Sequence, residues 1–382
     1  MEALAGAYPA KAEELGAMRD LWARKLWHQL TVALEELCAR GDLADQELLV
    51  DLYRNFVAQF ADKVNQLKLA HIVVSVSGHI TDRLEAVEFL QAESKKIEDR
   101  LGGRALGPCL LLKMHLGHLH LQGGEVDACR EAVGEGLKSL ESFPGTDPSI
   151  FASVHWLASQ LHKHLKNFTE FFKSALLYLS YTSLDALPAE VQLDIAVNIS
   201  LAALLSEDVY GFGELLMHPI VQVLRDHGYG WLYVLIQSFC DGDVAQFRRI
   251  FAESKADVEK QPALASAFPF LENKLAIMAV VRYVDAQASG VRRLGLADIS
   301  AATSIPEETL HELLIRSFSM KLMRGTIDQV DNELKVDWIK PRVLTFGEVT
   351  EVQEKLKIWG EKADSCLGQM NKFMDAAPVG SS

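Results

Sequence analysis

The sequence has 382 residues, of which 49% are hydrophobic and 24% are charged, which is the composition of a globular protein with a sizeable core. Its net charge of −14 argues against nucleic acid or an anionic membrane surface as the main partner. No apolar run reaches the roughly 18 residues of a membrane span, and we expect no secretory signal because the N-terminus lacks a basic region followed by an apolar one.

Almost every stretch up to about residue 290 predicts helix, and strand-like alternation is nearly absent there. The predicted helices are joined by short breaks that contain Gly, Asp, Asn or Pro. They cover residues 11–40, 43–62, 66–79, 82–100, 105–121, 125–141, 148–165, 168–182, 188–206, 213–226, 230–239 and 243–253.

The breaks between these helices show a repeat. Four of them have a polar or glycine turn followed by a helix start with apolar residues at similar offsets, and they begin at Asp82, Gly124, Asn167 and Gly242. The equivalent positions Leu84, Val126 and Thr169 are 42 and 43 residues apart. A period near 40 built from two helices is typical of an α-solenoid, although helical hairpins of ordinary length can give the same spacing. We therefore predict a mainly α fold, with a solenoid of helical hairpins over residues 11–255 after a divergent or disordered segment 1–10.

The pattern changes between residues 256 and 344. Three predicted helices are followed by the chain's one convincing hairpin; the helices cover 271–286, 296–302 and 306–321, and the strands cover 325–330 and 333–338 around a tight turn at Asp331-Asn332. Ser304 and Glu307 have the spacing of a capping box at the start of the third helix. Three helices and a hairpin predict a winged helix.

A winged helix can bind DNA or another protein, and charge favours protein here. The third helix carries Glu307, Glu308 and Glu312 against Arg316 and Lys321. Residues 296–342 contain eight acidic and six basic side chains. DNA-binding modules concentrate Lys and Arg on this face because phosphate contacts supply much of the affinity. We expect no nucleic-acid partner and a protein–protein contact instead.

The last helix, predicted over residues 345–374, has a heptad pattern. Its apolar residues are separated by alternating steps of three and four; they are Val349, Val352, Leu356, Trp359, Ala363, Cys366, Met370 and Phe373. This spacing predicts a helix that packs along its length against other helices. Thr345 and Glu348 form a second capping box, and we expect the tail 375–382 to be disordered. Gly360 and Gly368 each destabilise a helix by about 1 kcal/mol relative to alanine. We therefore expect this helix to be stabilised by packing against partner helices.

No motif in the sequence predicts chemistry, and we expect no catalytic, cofactor or metal site. Two groups of histidines are candidates for a zinc site, but neither has the spacing of a known zinc motif; they are His115, His118 and His120, and His155, His162 and His164. The alternative is that they are partly exposed histidines on helices. Five dispersed cysteines suit reduced thiols in the cytosol or nucleus; they are Cys38, Cys109, Cys129, Cys240 and Cys366.

The succession of helical repeat, winged helix and long helix resembles the PCI-domain family, whose members are scaffold subunits of the proteasome lid, the signalosome and a translation initiation factor complex. Five segments are similar in particular to the lid branch of this family. They are Lys25–Thr31, Leu52–Phe56, Gly211–Pro219, Gly325–Asp331 and Trp338–Leu344. The resemblance extends from about residue 20 to residue 374.

The resemblance implies a non-catalytic scaffold of the 26S proteasome lid, in the cytoplasm and nucleus, that supports ubiquitin-dependent degradation. Lid subunits of this family join their winged helices side by side and gather their C-terminal helices in a bundle with two JAMM-fold subunits. Here the eight heptad residues would form the bundle interface. The winged-helix contact would involve Arg324, Thr326, Asp328, Glu333, Lys335 and Asp337. A scaffold of another PCI complex is the alternative, and the heptads alone would suggest a homodimer.

Overall fold

The structure, a computed structural model, describes residues 11–40, 46–102, 105–142, 145, 147–287, 293–341 and 346–376. It is mainly α-helical with one small sheet, and the chain divides into two compact units, residues 1–195 and 196–382. The predicted fold class is confirmed: helical repeats are followed by a winged helix and a long C-terminal helix. Disorder was predicted for 1–10 and 375–382. Residues 1–10 and 377–382 lie outside the described residues, whereas Asp375 and Ala376 are helical and belong to the C-terminal helix.

The first unit is a succession of helices joined by short connections. Its helices are α1 (Ala12–Ala23), α2 (Trp27–Arg40), α3 (Gln46–Asn55), α4 (Gln66–Ser77), α5 (Arg83–Leu101), α6 (Leu106–Gln122), α7 (Val126–Ser142), α8 (Pro148–His164) and α9 (Phe168–Tyr181). Short 3-10 helices lie at Val57–Gln59, Ala61–Lys63 and Leu184–Ala186. Helix α10 (Ala189–Leu205) includes the boundary between the two units.

Polar residues at the predicted breaks start several of these helices. A side-chain oxygen of Asp82 accepts the Leu84 N–H at 3.0 Å, and one of Asp147 accepts the Ser149 N–H at 2.9 Å. Each bond satisfies a backbone donor that a helix start leaves unpaired. Each helix then packs against its neighbours: α6, for example, contacts α4, α5, α7 and α8. This stacking buries a continuous core, as expected of a solenoid.

Two predicted helices of the first unit are interrupted. The predicted helix 11–40 breaks at Lys25, which has a left-handed φ of 57°. The N–H of Leu26 donates to the carbonyl of Leu21 at 3.0 Å, which closes α1 in the way a C-terminal glycine usually does. The prediction failed because a lysine occupies this position. The predicted helix 43–62 ends at Asn55 and continues only as 3-10 turns.

The second unit begins with several short helices and one long one. They are α11 (Phe212–Met217), α12 (Pro219–Gln222), α13 (Gly230–Asp241), α14 (Val244–Glu253), α15 (Lys255–Glu259), α16 (Pro262–Ser266) and α17 (Phe268–Gln287), with a 3-10 turn at Val223–Arg225. The single helix predicted over 213–226 is therefore wrong. His218 is extended, with a ψ of 129°, because the residue before a proline avoids the helical region. At the α13–α14 turn, Gly242 has a φ of 69° and a Cβ there would lie 2.7 Å from the Ala279 Cα.

The winged helix follows. Its elements are β1 (Arg293–Gly295), α18 (Leu296–Thr303), α19 (Glu307–Ser319), β2 (Met323–Asp328) and β3 (Glu333–Ile339). The antiparallel sheet has the order β1-β3-β2. Side chains from α17, α18, α19 and all three strands share one apolar core, in which Leu310, Leu314 and Leu334 are fully buried. Strand β1 was not predicted, because three residues with only Leu294 buried are too few to show alternation.

Two local predictions in the winged helix are corrected. Ser304 does not form the predicted capping box: its φ of 58° closes α18, and Pro306 precedes α19 with an extended ψ of 140° and no side-chain cap. The strands are separated by four residues rather than by the predicted two-residue turn. A carboxylate oxygen of Asp328 organises this loop by accepting the N–H groups of Val330 and Asp331 at 3.2 and 3.4 Å.

The last element is the long helix α20 (Phe346–Ala376), with 31 residues. Thr345 of the predicted second capping box lies outside the described residues. No helix among the described residues is both long enough and apolar enough to cross a membrane.

Candidate assembly surfaces

Helix α20 carries an apolar stripe that is exposed to solvent along its length. Val349 and Val352 are 49% and 40% exposed, and Leu356, Trp359 and Met370 are 62%, 71% and 63% exposed. Ala363 and Cys366 lie in the same stripe and are also exposed, whereas the side chain of Phe373 lies outside the described residues. Exposed apolar residues at heptad spacing are typical of a helix that packs against partner helices. The structure therefore leaves the predicted bundle interface accessible.

Two exposed apolar residues of α20 lie outside the predicted heptad pattern. Leu367 is 57% exposed and Ile358 is 52% exposed. At about 100° per residue, Leu367 points in the direction of Val349 and widens the stripe, while Ile358 lies on the opposite side of the helix. The signal that could have found Leu367 is its separation of 18 residues, or five full turns, from Val349.

The residues beside the stripe are polar or small. Lys355 and Lys362 lie along one flank and are exposed. Gly360 lies on the other flank, beside Trp359. A Cβ added at Gly360 or Gly368 would meet no atom within 4 Å. No close contact within the described part of this chain therefore requires glycine at these positions, and each glycine destabilises the helix by about 1 kcal/mol.

The six predicted contact residues of the winged helix lie on its hairpin. Arg324, Thr326 and Asp328 belong to β2, and Glu333, Lys335 and Asp337 belong to β3. The structure brings several of them together: Thr326 pairs with Lys335 and Asp328 pairs with Glu333. The ammonium of Lys335 donates to Asp328 at 2.8 Å. That bond, with the backbone N–H groups of Asp331 and Val330, holds the pKa of Asp328 below its usual range.

The two hairpin strands differ in what they can offer a partner. Strand β2 is at the edge of the sheet, and β3 lies between β1 and β2. Only an edge strand has backbone groups available to pair with a further strand. Residues on β3 can therefore contribute side chains only. Gly325 lies at an irregularity of the β2–β3 pairing, where an added Cβ would collide with the carbonyl oxygen of Lys335.

Three exposed apolar residues near the hairpin were not predicted as contacts. Trp338 is 40% exposed, and the Arg324 guanidinium lies 5.2 Å from the centroid of its ring. Ile315 on α19 is 61% exposed, and Val330 in the hairpin loop is 94% exposed. The sequence signal was available at Ile315, which follows the buried pair Leu313-Leu314 and so falls outside the core-facing stripe of α19.

The outer face of α19 is acidic. Glu307, Glu308 and Glu312 are exposed on it together with Arg316. This agrees with the composition that argued against DNA, because a duplex would meet three carboxylates where phosphate contacts need cations.

The six histidines that are candidates for a zinc site lie on α6 and α8, and all of them except the exposed His164 are partly buried. Burial lowers the pKa of His115 to about 4, with a smaller contribution from His118, whose own pKa burial also lowers. The ring centroids of these two histidines are 6.1 Å apart. Among the described residues, no group of three or more His, Cys, Asp or Glu side chains is arranged to hold a metal ion. The structure thus brings no ligand set together at the residues considered for zinc.

His115 instead faces an open cavity of about 430 Å³. The cavity is lined by residues from α4, α6, α8 and α9, including His71, Trp156, Tyr178 and Tyr181. The imidazole of His71 is 3.1 Å from the hydroxyl oxygen of Ser149. None of the lining residues carries a permanent charge.

Comparison with known proteins decides the family. The family described as PSD13 N-terminal repeats matches residues 14–236. The 26S proteasome non-ATPase regulatory subunit 13 homolog A of Arabidopsis thaliana is 34% identical over 367 residues, which is 96% of this chain and 95% of the relative. The chain belongs to the family of the 26S proteasome non-ATPase regulatory subunit 13.

Two further relatives differ in how much of this chain they match. The 26S proteasome regulatory subunit RPN9 of Saccharomyces cerevisiae is 29% identical, over 93% of this chain and 90% of the relative. Eukaryotic translation initiation factor 3 subunit M of Neosartorya fischeri is 25% identical over only 46% of this chain and 37% of the relative. The Arabidopsis and Saccharomyces relatives confirm the predicted resemblance to the lid branch.

Membership in the subunit 13 family extends beyond the helical repeats. The family match itself ends at residue 236. The alignment with the Arabidopsis relative covers 96% of the chain, so it includes the winged helix and most of α20. Both candidate surfaces therefore lie in the part of the chain that is shared with subunit 13 relatives.

Proposed function

We propose that the chain is a non-catalytic scaffold subunit of the proteasome lid, in the cytoplasm and nucleus, that supports ubiquitin-dependent degradation by assembly alone. Its helical repeats would occupy residues 11–255 and its winged helix residues 256–344. Residues 345–374 would form the bundle helix, flanked by the terminal segments 1–10 and 375–382. Its partners would be neighbouring PCI subunits and the JAMM-fold subunits, in a hetero-oligomer without nucleic acid or membrane.

The observation that carries this proposal is the exposed stripe of α20. Its large side chains are 40–71% exposed although they repeat at heptad spacing. Covering such a stripe releases on the order of 10 kcal/mol before ordering costs, at roughly 1.5–3 kcal/mol per large side chain. A soluble monomer gains nothing from exposing these residues, whereas a helix that enters a bundle does.

The winged helix supports a second contact in the same assembly. Its outward hairpin face is mostly polar, with the exposed Trp338 beside Arg324, and β2 lies at the edge of the sheet that the described residues form. We propose that the contact uses the side chains of Arg324, Thr326 and Asp328 together with the backbone of β2. Side chains of Glu333, Lys335 and Asp337 on β3 would extend it. The acidic face of α19 favours a basic protein surface over DNA.

A scaffold role in another PCI complex is the rival function. The match to translation initiation factor 3 subunit M supports it, but that match covers less than half of this chain. Mass spectrometry of the proteins that co-purify with the tagged chain separates the two functions. Proteasome subunits are the expected partners, and recovery of initiation-factor or signalosome subunits in their place would overturn the lid assignment.

The decisive variant is Leu356→Asp with Trp359→Asp, expressed as a tagged full-length chain. Burying two unpaired carboxylates costs several kcal/mol, so lid recovery should fall by about tenfold or more. The readout is the amount of lid subunits recovered per tagged chain. Undiminished recovery would contradict the bundle assignment.

A matched control places the same charge on the opposite side of α20. Ile358→Asp with Ser365→Asp also adds two carboxylates and replaces one exposed apolar residue. This variant should recover the lid as well as the unchanged chain does. If both double variants lose the lid equally, helix destabilisation explains the loss and the stripe is not the interface.

A further inference from the structure

Along the stripe of α20, large and small side chains are ordered so that a second copy running in the opposite direction would place a small side chain opposite a large one. Large and small residues are distributed about Glu361, the middle of the stripe. Trp359 and Ala363 lie at equal distances on either side of it, as do Leu356 and Cys366, and Val352 and Met370. All six of these side chains are exposed.

An antiparallel pair of these helices, crossing at Glu361, would place unlike sizes together in each layer. Trp359 of one copy would face Ala363 of the other, and Leu356 would face Cys366. In a parallel pair, equal positions face each other. Trp359 would then crowd its own copy, and Ala363 and Cys366 would leave gaps, both of which are unfavourable in a packed core. The order of sizes thus distinguishes one self-pairing from the other.

We propose that the unassembled chain forms a homodimer through an antiparallel pairing of α20 with a second copy, centred at Glu361. The inference concerns the chain outside the lid and does not depend on the proposed function. In this dimer, a second copy of the chain covers the exposed stripe before any other partner is present. Dimerisation and lid assembly would then compete for the same residues.

The flanks of the stripe make this dimer sensitive to salt. Near the two-fold axis, Gly360 would lie beside its own copy on one flank and Lys362 would lie beside its own copy on the other. Glycine leaves room for the Trp359 indole of the facing helix. The two lysines repel each other, so added salt and the change Lys362→Gln should both tighten the dimer.

A size exchange tests the pairing in the full-length chain. Ala363→Trp alone puts tryptophan against tryptophan in two symmetry-related layers, and Trp359→Ala alone puts alanine against alanine. Each should weaken dimerisation by about tenfold or more. The double variant Trp359→Ala with Ala363→Trp restores the large–small layers, so dimerisation should return. Analytical ultracentrifugation over a concentration series measures all four proteins.

The outcomes are distinct. A monomer at all concentrations for the unchanged chain would overturn the proposal, as would a double variant no better than the single ones. Because α20 is exposed throughout its described side chains, these changes leave the cores of both units untouched, and circular dichroism confirms that helical content is retained. Loss of lid recovery in the stripe variant would leave this result unaffected, so the two proposals fail separately.

Cysteine crosslinking provides an independent measure of direction. In the antiparallel pair, Leu356→Cys faces Cys366 of the other copy, and mild oxidation with diamide should give a covalent dimer. The matched control Leu356→Cys with Cys366→Ser should give none through α20. Crosslinking of the unchanged chain through Cys366 alone would indicate a parallel pair and would overturn the proposal.

Discussion

Helices α6 and α20 are both long and rich in apolar residues, yet one is covered within the chain and the other is exposed. In α6, Leu110, Leu111, Leu112 and Met114 are all at most 6% exposed. In α20, every described side chain of residues 349–372 is exposed apart from Gly360, and Glu351 is not described. Apolar content therefore does not tell whether a helix finds its partners inside or outside its own chain.

The arrangement of the apolar residues does distinguish the two helices. Three consecutive leucines point to different sides of α6, so that helix must be surrounded, and four neighbouring helices do surround it. Helix α20 confines its large residues mostly to one stripe with a polar opposite face. A helix with a single stripe needs a partner on one side only, and such a partner can be another chain.

The largest expected difference between the two helices is in the cost of truncating a leucine. Leu112→Ala in α6 removes a side chain that is 1% exposed. It should lower the free energy of unfolding by about 2–5 kcal/mol. Leu356→Ala in α20 removes one that is 62% exposed and should change it by less than about 0.5 kcal/mol. Urea unfolding followed by circular dichroism, at a protein concentration where the chain is monomeric, measures both; equal losses would contradict the comparison.

Acid should affect the helical repeats and leave α20 unchanged. Burial lowers the pKa of His115 on α6 to about 4, whereas the unfolded chain takes up that proton near pH 6.5. Between these values the unfolded state binds more protons, so stability falls as the pH drops from 6.5 to 4. Protonation of His115 should account for a loss on the order of 2–3 kcal/mol in the free energy of unfolding over this pH range. His115→Gln should reduce the fall, while Leu356→Ala should unfold with the same pH dependence as the unchanged chain.

Glycine replacements should have opposite signs in the two helices. A Cβ at Gly117 of α6 would lie 2.8 Å from a methyl carbon of Leu157, and one at Gly368 of α20 would meet nothing within 4 Å. Gly117→Ala should therefore destabilise the first unit by about 1–2 kcal/mol. Gly368→Ala should stabilise α20 by about 1 kcal/mol and slow its amide exchange about fivefold. A destabilising Gly368→Ala would mean that α20 is covered where the structure shows it open.

The fold class was predictable because the breaks of the repeat carry explicit signals. Asp82 and Asn167 accept backbone N–H groups at the starts of α5 and α9, as polar residues before a helix usually do. Two turns without glycine were harder to predict. Lys25 and Ser304 adopt left-handed φ values of 57° and 58°. Neither lysine nor serine favours that conformation, so the sequence carries no signal for these two turns.

The candidate surfaces were predictable to different depths. The heptad spacing was enough to locate the apolar stripe of α20, because one helix defines it without any long-range contact, and its role as a bundle interface stays a prediction. The hairpin contact residues were assigned without knowing the strand order. Strand β1 places β3 in the middle of the sheet, and its three residues gave no pattern to read. Trp338 was missed because its exposure depends on a core assembled from distant segments, whereas Ile315 could have been found from its position outside the core-facing stripe of α19.

Hydrogen exchange of α20, measured in the lid-bound chain and in the free chain at a concentration that keeps it monomeric, tests the central claim most directly. The amides of residues 349–372 should exchange rapidly in the free monomer and become strongly protected in the complex, while those of α6 should be protected equally in both. Equal exchange of α20 in the free and bound chain would show that assembly does not cover its stripe, and would contradict the account.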